Sequence, residues 1–129
     1  MKEHILYRAM LVVLSVFILN LAGSFFSWYS AIFWYDKFMH VIGGIWLGLM
    51  AGWLLFSFPL PEKKFWMYSL LLVFLGTIGW EVMEYIVQYV TGAGFALATP
   101  VDSIFDIIFG MLGSCIGIWY VILKKKEIL

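Results

Sequence analysis

Long apolar stretches alternate along the chain with short polar interruptions. The apolar stretches cover residues 5–28, 37–58, 65–90 and 101–123. Each holds roughly the 20 residues that an α-helix needs to cross a bilayer core about 30 Å thick. The pattern therefore predicts an all-α polytopic membrane protein, with four transmembrane helices in one domain over residues 1–129. Between the stretches, PLPEKK (59–64) reads as a tight turn. SFFSWYSAIFWY (24–35) reads as an aromatic segment at a membrane–water interface, where amphipathic rings settle. TGAGFALATP (91–100) is an uncharged loop expected to dip toward the headgroups. Lys2 and Arg8 ahead of an apolar run ending in Ala22, Gly23 and Ser24 have the outline of a secretory signal, but the run is long for one and is read as the first span.

Composition agrees with the pattern. Hydrophobic residues make up 64% and charged residues 12% of the chain, and the mean hydropathy is +1.00. A soluble domain has roughly 45–50% and 25%, which excludes that class. The net charge is zero and no basic patch is present, so no nucleic-acid partner is expected; the basic run 124–126 reads as a headgroup anchor. Cys115 stands alone within the fourth span, where packing is its expected role. Lys2, Arg8, Lys63, Lys64, Lys124, Lys125 and Lys126 fall on one side of a four-span protein and Lys37 alone on the other. The positive-inside rule then predicts cytoplasmic termini.

The acidic residues are distributed unevenly. Glu3, Glu62 and Glu127 lie near lysines or at the basic side. Asp36, Glu81, Glu84, Asp102 and Asp106 all fall in the outer half of the predicted bundle, and His40 lies at the same depth. At about 100° per residue, Asp36 and His40 share a helix face, as do Asp102 and Asp106, and Glu81 and Glu84. Thr77 and Gln88 continue the glutamate stripe. Gly110, Gly113 and Gly117 continue the aspartate stripe, and Gly44, Gly48 and Gly52 form a similar strip on the second span. Small-residue faces let membrane helices approach closely, within one chain or between copies in a homo-oligomer. The expected result is a polar acidic cup in the outer half of the bundle.

Five carboxylates so close cannot all stay ionised without cations, and the nearby fixed cation is Lys37, with His40 as a second. Asp36, His40, Glu81, Glu84, Asp102 and Asp106 are therefore candidate ligands of a divalent metal ion, with Mg²⁺, Mn²⁺, Zn²⁺, Ca²⁺ and Fe²⁺ all compatible. Simpler readings exist for some. Asp36 could cap the second span. Thr99, Pro100 and Asp102 have the order of an N-cap, a first-position proline and a third-position acid. His40 could be a hydrogen-bonded core residue, and the whole set could be a buried polar network that fixes helix register. Glu81, Glu84 and Asp106 lie too far inside their helices to cap anything.

YDKFMH (35–40), GWEVMEY (79–85) and DSIFD followed by glycines (102–117) resemble the VanZ-like family and the related YjdF-like inner-membrane proteins. Glu84 and Gly110 stand where the VanZ-like pattern carries glutamine and asparagine, which fits the YjdF-like group better. The resemblance implies a role at the cell envelope; VanZ-like proteins are associated with glycopeptide-antibiotic tolerance.

These readings lead to three expectations of function. The first is a metal-dependent enzyme at the outer leaflet that hydrolyses, or transfers a group of, a membrane lipid or lipid-linked intermediate, with Glu84 or Asp106 as general base. The second is binding or transport of a cation or proton. The third is a non-catalytic envelope scaffold.

Overall fold

In the computed structural model, residues 1–92 and 99–127 are described. Five helices follow one another: α1 (Lys2–Phe25), α2 (Trp28–Ala31), α3 (Tyr35–Leu55), α4 (Glu62–Thr91) and α5 (Pro100–Lys126). No strand occurs among the described residues. All helices except α2 are long and apolar enough to span a membrane. Helices are the expected form, because in lipid each backbone N–H and C=O must find a partner within its own segment. The four spans match the predicted positions, each with its start two or three residues earlier or, for α5, one. Most of the expected loop at 91–100, with its dip toward the headgroups, lies outside the described residues.

The helix ends follow from local chemistry. At the start of α5, the Thr99 hydroxyl accepts a hydrogen bond from the Asp102 N–H at 3.2 Å, and Pro100 occupies the first turn. This is the cap read from the sequence. Helix α4 ends at Gly92, whose φ of +63° is a left-handed conformation that glycine adopts without a Cβ clash. Asp36 does not cap α3: the N-cap is Trp34, without a side-chain hydrogen bond, and Asp36 lies inside the first turn. Its carboxylate is left for another partner.

Helices α3 and α5 run parallel and form the centre of the bundle, with α1 and α4 running the opposite way beside them. The glycine strips meet each other. Gly44 lies on the Gly110 backbone and Gly48 on that of Ser114, so a Cβ at either would fall 2.9 Å from the facing Cα. Gly113 lies on the backbone of Val41, and Gly117 on the backbones of Ile45, Gly48 and Leu49. Real side chains do not pack that closely, so only glycine permits this separation. The strips are thus occupied within the chain, and a homo-oligomer built through them would first have to separate α3 from α5.

Helix α4 buries one residue in every four: Phe65, Ser69, Val73, Thr77 and Glu81. Toward the chain termini this stripe joins Ile5, Ala9, Leu49, Ala51, Ile118, Val121 and Ile122 in an apolar core. The basic residues fasten that end: Lys126 pairs with Glu62 at 2.7 Å, and Lys125 donates to the Phe58 carbonyl at 2.7 Å. The outward surface carries large apolar side chains such as Phe17, Leu72, Ile104, Leu112 and Trp119, as a lipid-facing surface requires. Cys115 lies on that exposed surface, so it does not fill the core as the sequence suggested.

Candidate functional site

The polar residues gather at the end of the bundle away from the termini. Asp36, Lys37 and His40 come from the first turns of α3, Asp102 and Asp106 from the first turns of α5, and Glu81 and Glu84 from the corresponding depth of α4. Parallel α3 and α5 start at the same level, and the glycine seam holds them close enough for a lysine to cross between them. Lys37 Nζ lies 2.5 Å from Asp102 Oδ1, 2.5 Å from Asp106 Oδ1 and 2.9 Å from Asp36 Oδ2. One ammonium thus serves three carboxylates with its three N–H donors. Asp106 is the deepest of them, its side chain 5% exposed.

His40 sits between two groups of acids. Its Nε2 lies 3.7 Å from Asp36 Oδ1 and 3.6 Å from Asp106 Oδ1. One nitrogen of His40 and one oxygen each from Asp36 and Asp106 lie within 4.8 Å of one another, and the same holds for His40, Glu81 and Glu84. Asp36, His40, Glu81, Glu84 and Asp106 thus converge at one level, as their shared helix faces predict. Asp102 is the exception: it belongs to neither group of three and reaches the cluster through Lys37. Two ligands held at about 2.1 Å by one ion lie at most about 4.2 Å apart, so either group fits a divalent cation after a shift of roughly half an ångström.

The two groups differ in how their charge is met. The aspartates face Lys37. On the other side, Glu81 is 7% exposed, and its carboxylate accepts no hydrogen bond and forms no ion pair among the described residues. Glu84 is half-buried and has the Trp80 side chain one turn away on its own helix. Thr77, one turn below Glu81, turns its hydroxyl back to the Phe74 carbonyl at 2.9 Å and leaves Glu81 alone.

The first span also contributes, which the sequence reading missed. Tyr29 of α2 donates its hydroxyl to Asn20 Oδ1 of α1 at 2.7 Å, and Tyr35 donates to the Leu19 carbonyl at 2.7 Å. Gly23 makes room for both rings: a Cβ there would fall 3.0 Å from Tyr29 Cε2 and from Tyr35 Cζ. Ser27, in the left-handed conformation at φ 58°, turns the chain so that α2 folds back beside α3. Burial pushes the Tyr29 phenol well above its usual range, with further upward contributions from Tyr35, Asp36 and Glu84. Its proton is therefore retained next to the acids. The one available signal was Asn20, the sole side-chain amide of the first span.

The family described as "Predicted membrane protein (DUF2238)" matches residues 5–127. A Thermotoga maritima protein described as "Uncharacterized protein" is 28% identical over 125 residues, covering 87% of this chain and 59% of that relative. The chain thus spans about three fifths of that relative's length. No solved structure matches.

Proposed function

The chain belongs to the DUF2238 family of membrane proteins, and from that premise we propose that it is a divalent-cation-dependent enzyme at the outer leaflet of a bacterial inner membrane. Its substrate is a membrane lipid or a lipid-linked envelope intermediate, and its reaction is hydrolysis or group transfer. The observation that carries the reading is His40, which shares a ligand-sized space with Asp36 and Asp106 on one side and with Glu81 and Glu84 on the other. Structural ion pairs do not require a largely buried carboxylate left out of them, and Glu81, 7% exposed, has no hydrogen-bond or ion-pair partner among the described residues.

A bound cation would polarise a phosphoryl or ester oxygen and make its water acidic. The chain's own groups do the rest. Glu84 has two oxygens, so it can hold the ion through one and take the proton of the attacking water through the other. Asp106 is committed to Lys37, which makes it the weaker candidate base and assigns it to positioning His40 and Lys37. The lipid part of a substrate has a place to lie: Phe33, Trp34, Phe38, Val41, Phe105 and Phe109 line a cleft between α3 and α5, with Lys37 as its charged member. The outer orientation rests on the seven basic residues at the opposite end, and the envelope role on the short-motif resemblance to VanZ-like and YjdF-like proteins.

A transport role is less well supported. Below the site the glycine seam and the apolar core of Leu49, Val73 and Ile118 carry, among the described residues, no acidic, basic or histidine side chain to continue a path. A scaffold role is favoured by one feature, the Lys37 network, which alone could fix the register of α3 on α5. The test is an incubation of chelator-free protein, reconstituted in liposomes of bacterial envelope lipids, with Zn²⁺, Mn²⁺ or Mg²⁺, followed by mass spectrometry of the lipids. A metal-dependent product that disappears in Glu84→Gln supports the enzyme. Unchanged lipids with every metal remove it.

A further inference from the structure

We infer that the site holds one exchangeable divalent cation, on His40, Glu81 and Glu84, while Lys37 permanently fills the place a second cation would take between Asp36 and Asp106. The inference rests on the metal-dependent reading above and adds the number of ions, their ligands and the role of Lys37.

The carboxylates are compensated unequally. Three aspartates point at one ammonium, within 2.9 Å in each case. An ion placed among them would meet that ammonium at a similar distance, and two like charges so close in a partly buried site repel strongly. The aspartate half is therefore already occupied by a side chain. The glutamate half has no such cation. Glu81 is more than nine-tenths buried, has no partner among the described residues, and directs an oxygen to within 4.8 Å of both His40 and Glu84. A buried carboxylate left in that state is costly unless something binds it. A cation at this point satisfies Glu81, uses the imidazole as a neutral ligand and completes a three-ligand set with coordination positions to spare. Such open sets are the catalytic form of a metal site. One imidazole with two carboxylates also favours Zn²⁺ or Fe²⁺ over Mg²⁺ and Ca²⁺, which prefer oxygen ligands alone.

His40 lies on the boundary between the halves, 3.6 Å from Asp106, which itself is held by Lys37, so Asp106 neighbours the imidazole without a hydrogen bond to it.

The experiment is a titration of purified, chelator-stripped full-length protein with Zn²⁺ and separately with Mg²⁺, in a His4→Ala background that removes the other histidine. The expected result is one Zn²⁺ per chain, bound more tightly than Mg²⁺. Glu81→Gln and His40→Ala should weaken it by more than about 100-fold, and Asp102→Asn by no more than about 10-fold. Lys37→Met should raise the stoichiometry to two. If that variant does not fold, the double variant Asp36→Asn, Asp102→Asn decides: it keeps one ion under this inference and loses it if the aspartates are the ligands. Two ions on the unaltered site, tighter Mg²⁺ binding, or Zn²⁺ affinity indifferent to Glu81→Gln overturns the inference but leaves metal dependence standing. An absence of any bound ion overturns both, and one bound ion without lipid turnover overturns only the enzyme.

Discussion

The same two helices, α3 and α5, are joined in two different ways along their length. From Val41 to Leu49 they touch through backbone, with Gly44 on Gly110, Gly48 on Ser114 and Gly117 on Ile45. One turn above Val41 they are joined through long side chains and charge, Lys37 crossing to Asp102 and Asp106. The backbone seam tolerates no added atom, and it transmits its spacing to the polar end. The polar end tolerates rearrangement, because a lysine and carboxylates can shift by an ångström and remain partners. Rigidity below and adjustable charge above are what a site needs if it is to hold an ion or substrate without losing its frame.

The largest break in this contrast should come from the seam. Gly44→Val or Gly113→Leu places side-chain atoms on the facing backbone, and each should cost about 3 kcal/mol or more, read as loss of the melting transition in detergent. Gly43→Ala, which meets nothing within 4 Å, should instead be neutral or stabilising by up to about 1 kcal/mol, since alanine is the better helix former. Equal effects at Gly43 and Gly44 would refute the seam.

At the polar end, Lys37→Met leaves three carboxylates without their ammonium. Fully buried pairs lose about 3–5 kcal/mol on such truncation, but Lys37 is 22% exposed and solvent screens part of the repulsion, so about 2 kcal/mol is expected. Adding Asp102→Asn to Lys37→Met should recover part of it. A smaller effect is expected at Ser69, whose hydroxyl is buried in the apolar half without a partner. Ser69→Ala should leave stability unchanged or raise it by about 1 kcal/mol, and a clear loss would reveal a partner that the structure does not contain.

The smallest effect is at Tyr29. Tyr29→Phe removes the bond to Asn20 and should cost about 0.5 kcal/mol at neutral pH. The phenol is held protonated in the fold, so above about pH 10 the unfolded chain releases that proton while the native chain retains it. Native protein then binds more protons than unfolded protein, and stability falls as pH rises. That decline should be shallower in Tyr29→Phe, measured by chemical denaturation between pH 9 and 11.

Much of this was legible in the sequence because helical periodicity encodes faces. The four-residue steps from Asp36 to His40 and from Asp102 to Asp106 brought each pair to one side, and the glycine strips announced a close contact. What periodicity does not encode is the reach of a long side chain. Lys37 lies about 100° from Asp36 around α3, yet its flexible stem carries the ammonium to all three aspartates. The division of the site into a compensated and an uncompensated half follows from that reach, and composition alone suggested only one crowded cup. The contribution of α1 was missed for a related reason. Asn20 has no charged neighbour one turn away on its own helix, and its partner Tyr29 arrives through the left-handed turn at Ser27, a position where glycine would have been the usual signal.

The most direct test of the account is thermal stability of the wild type and of Glu84→Gln, each with EDTA and with Zn²⁺, Mn²⁺ or Mg²⁺ restored. An ion that binds only the folded chain adds about 2.7 kcal/mol at 100 times its dissociation constant, so the wild type should melt higher with metal and lower with chelator. Glu84→Gln should assemble but lose most of that difference, because the amide keeps the shape and removes an anionic ligand. A wild type indifferent to chelator and to every metal, with Glu84→Gln equally or more stable, would contradict the account and favour a proton-binding or scaffold role instead.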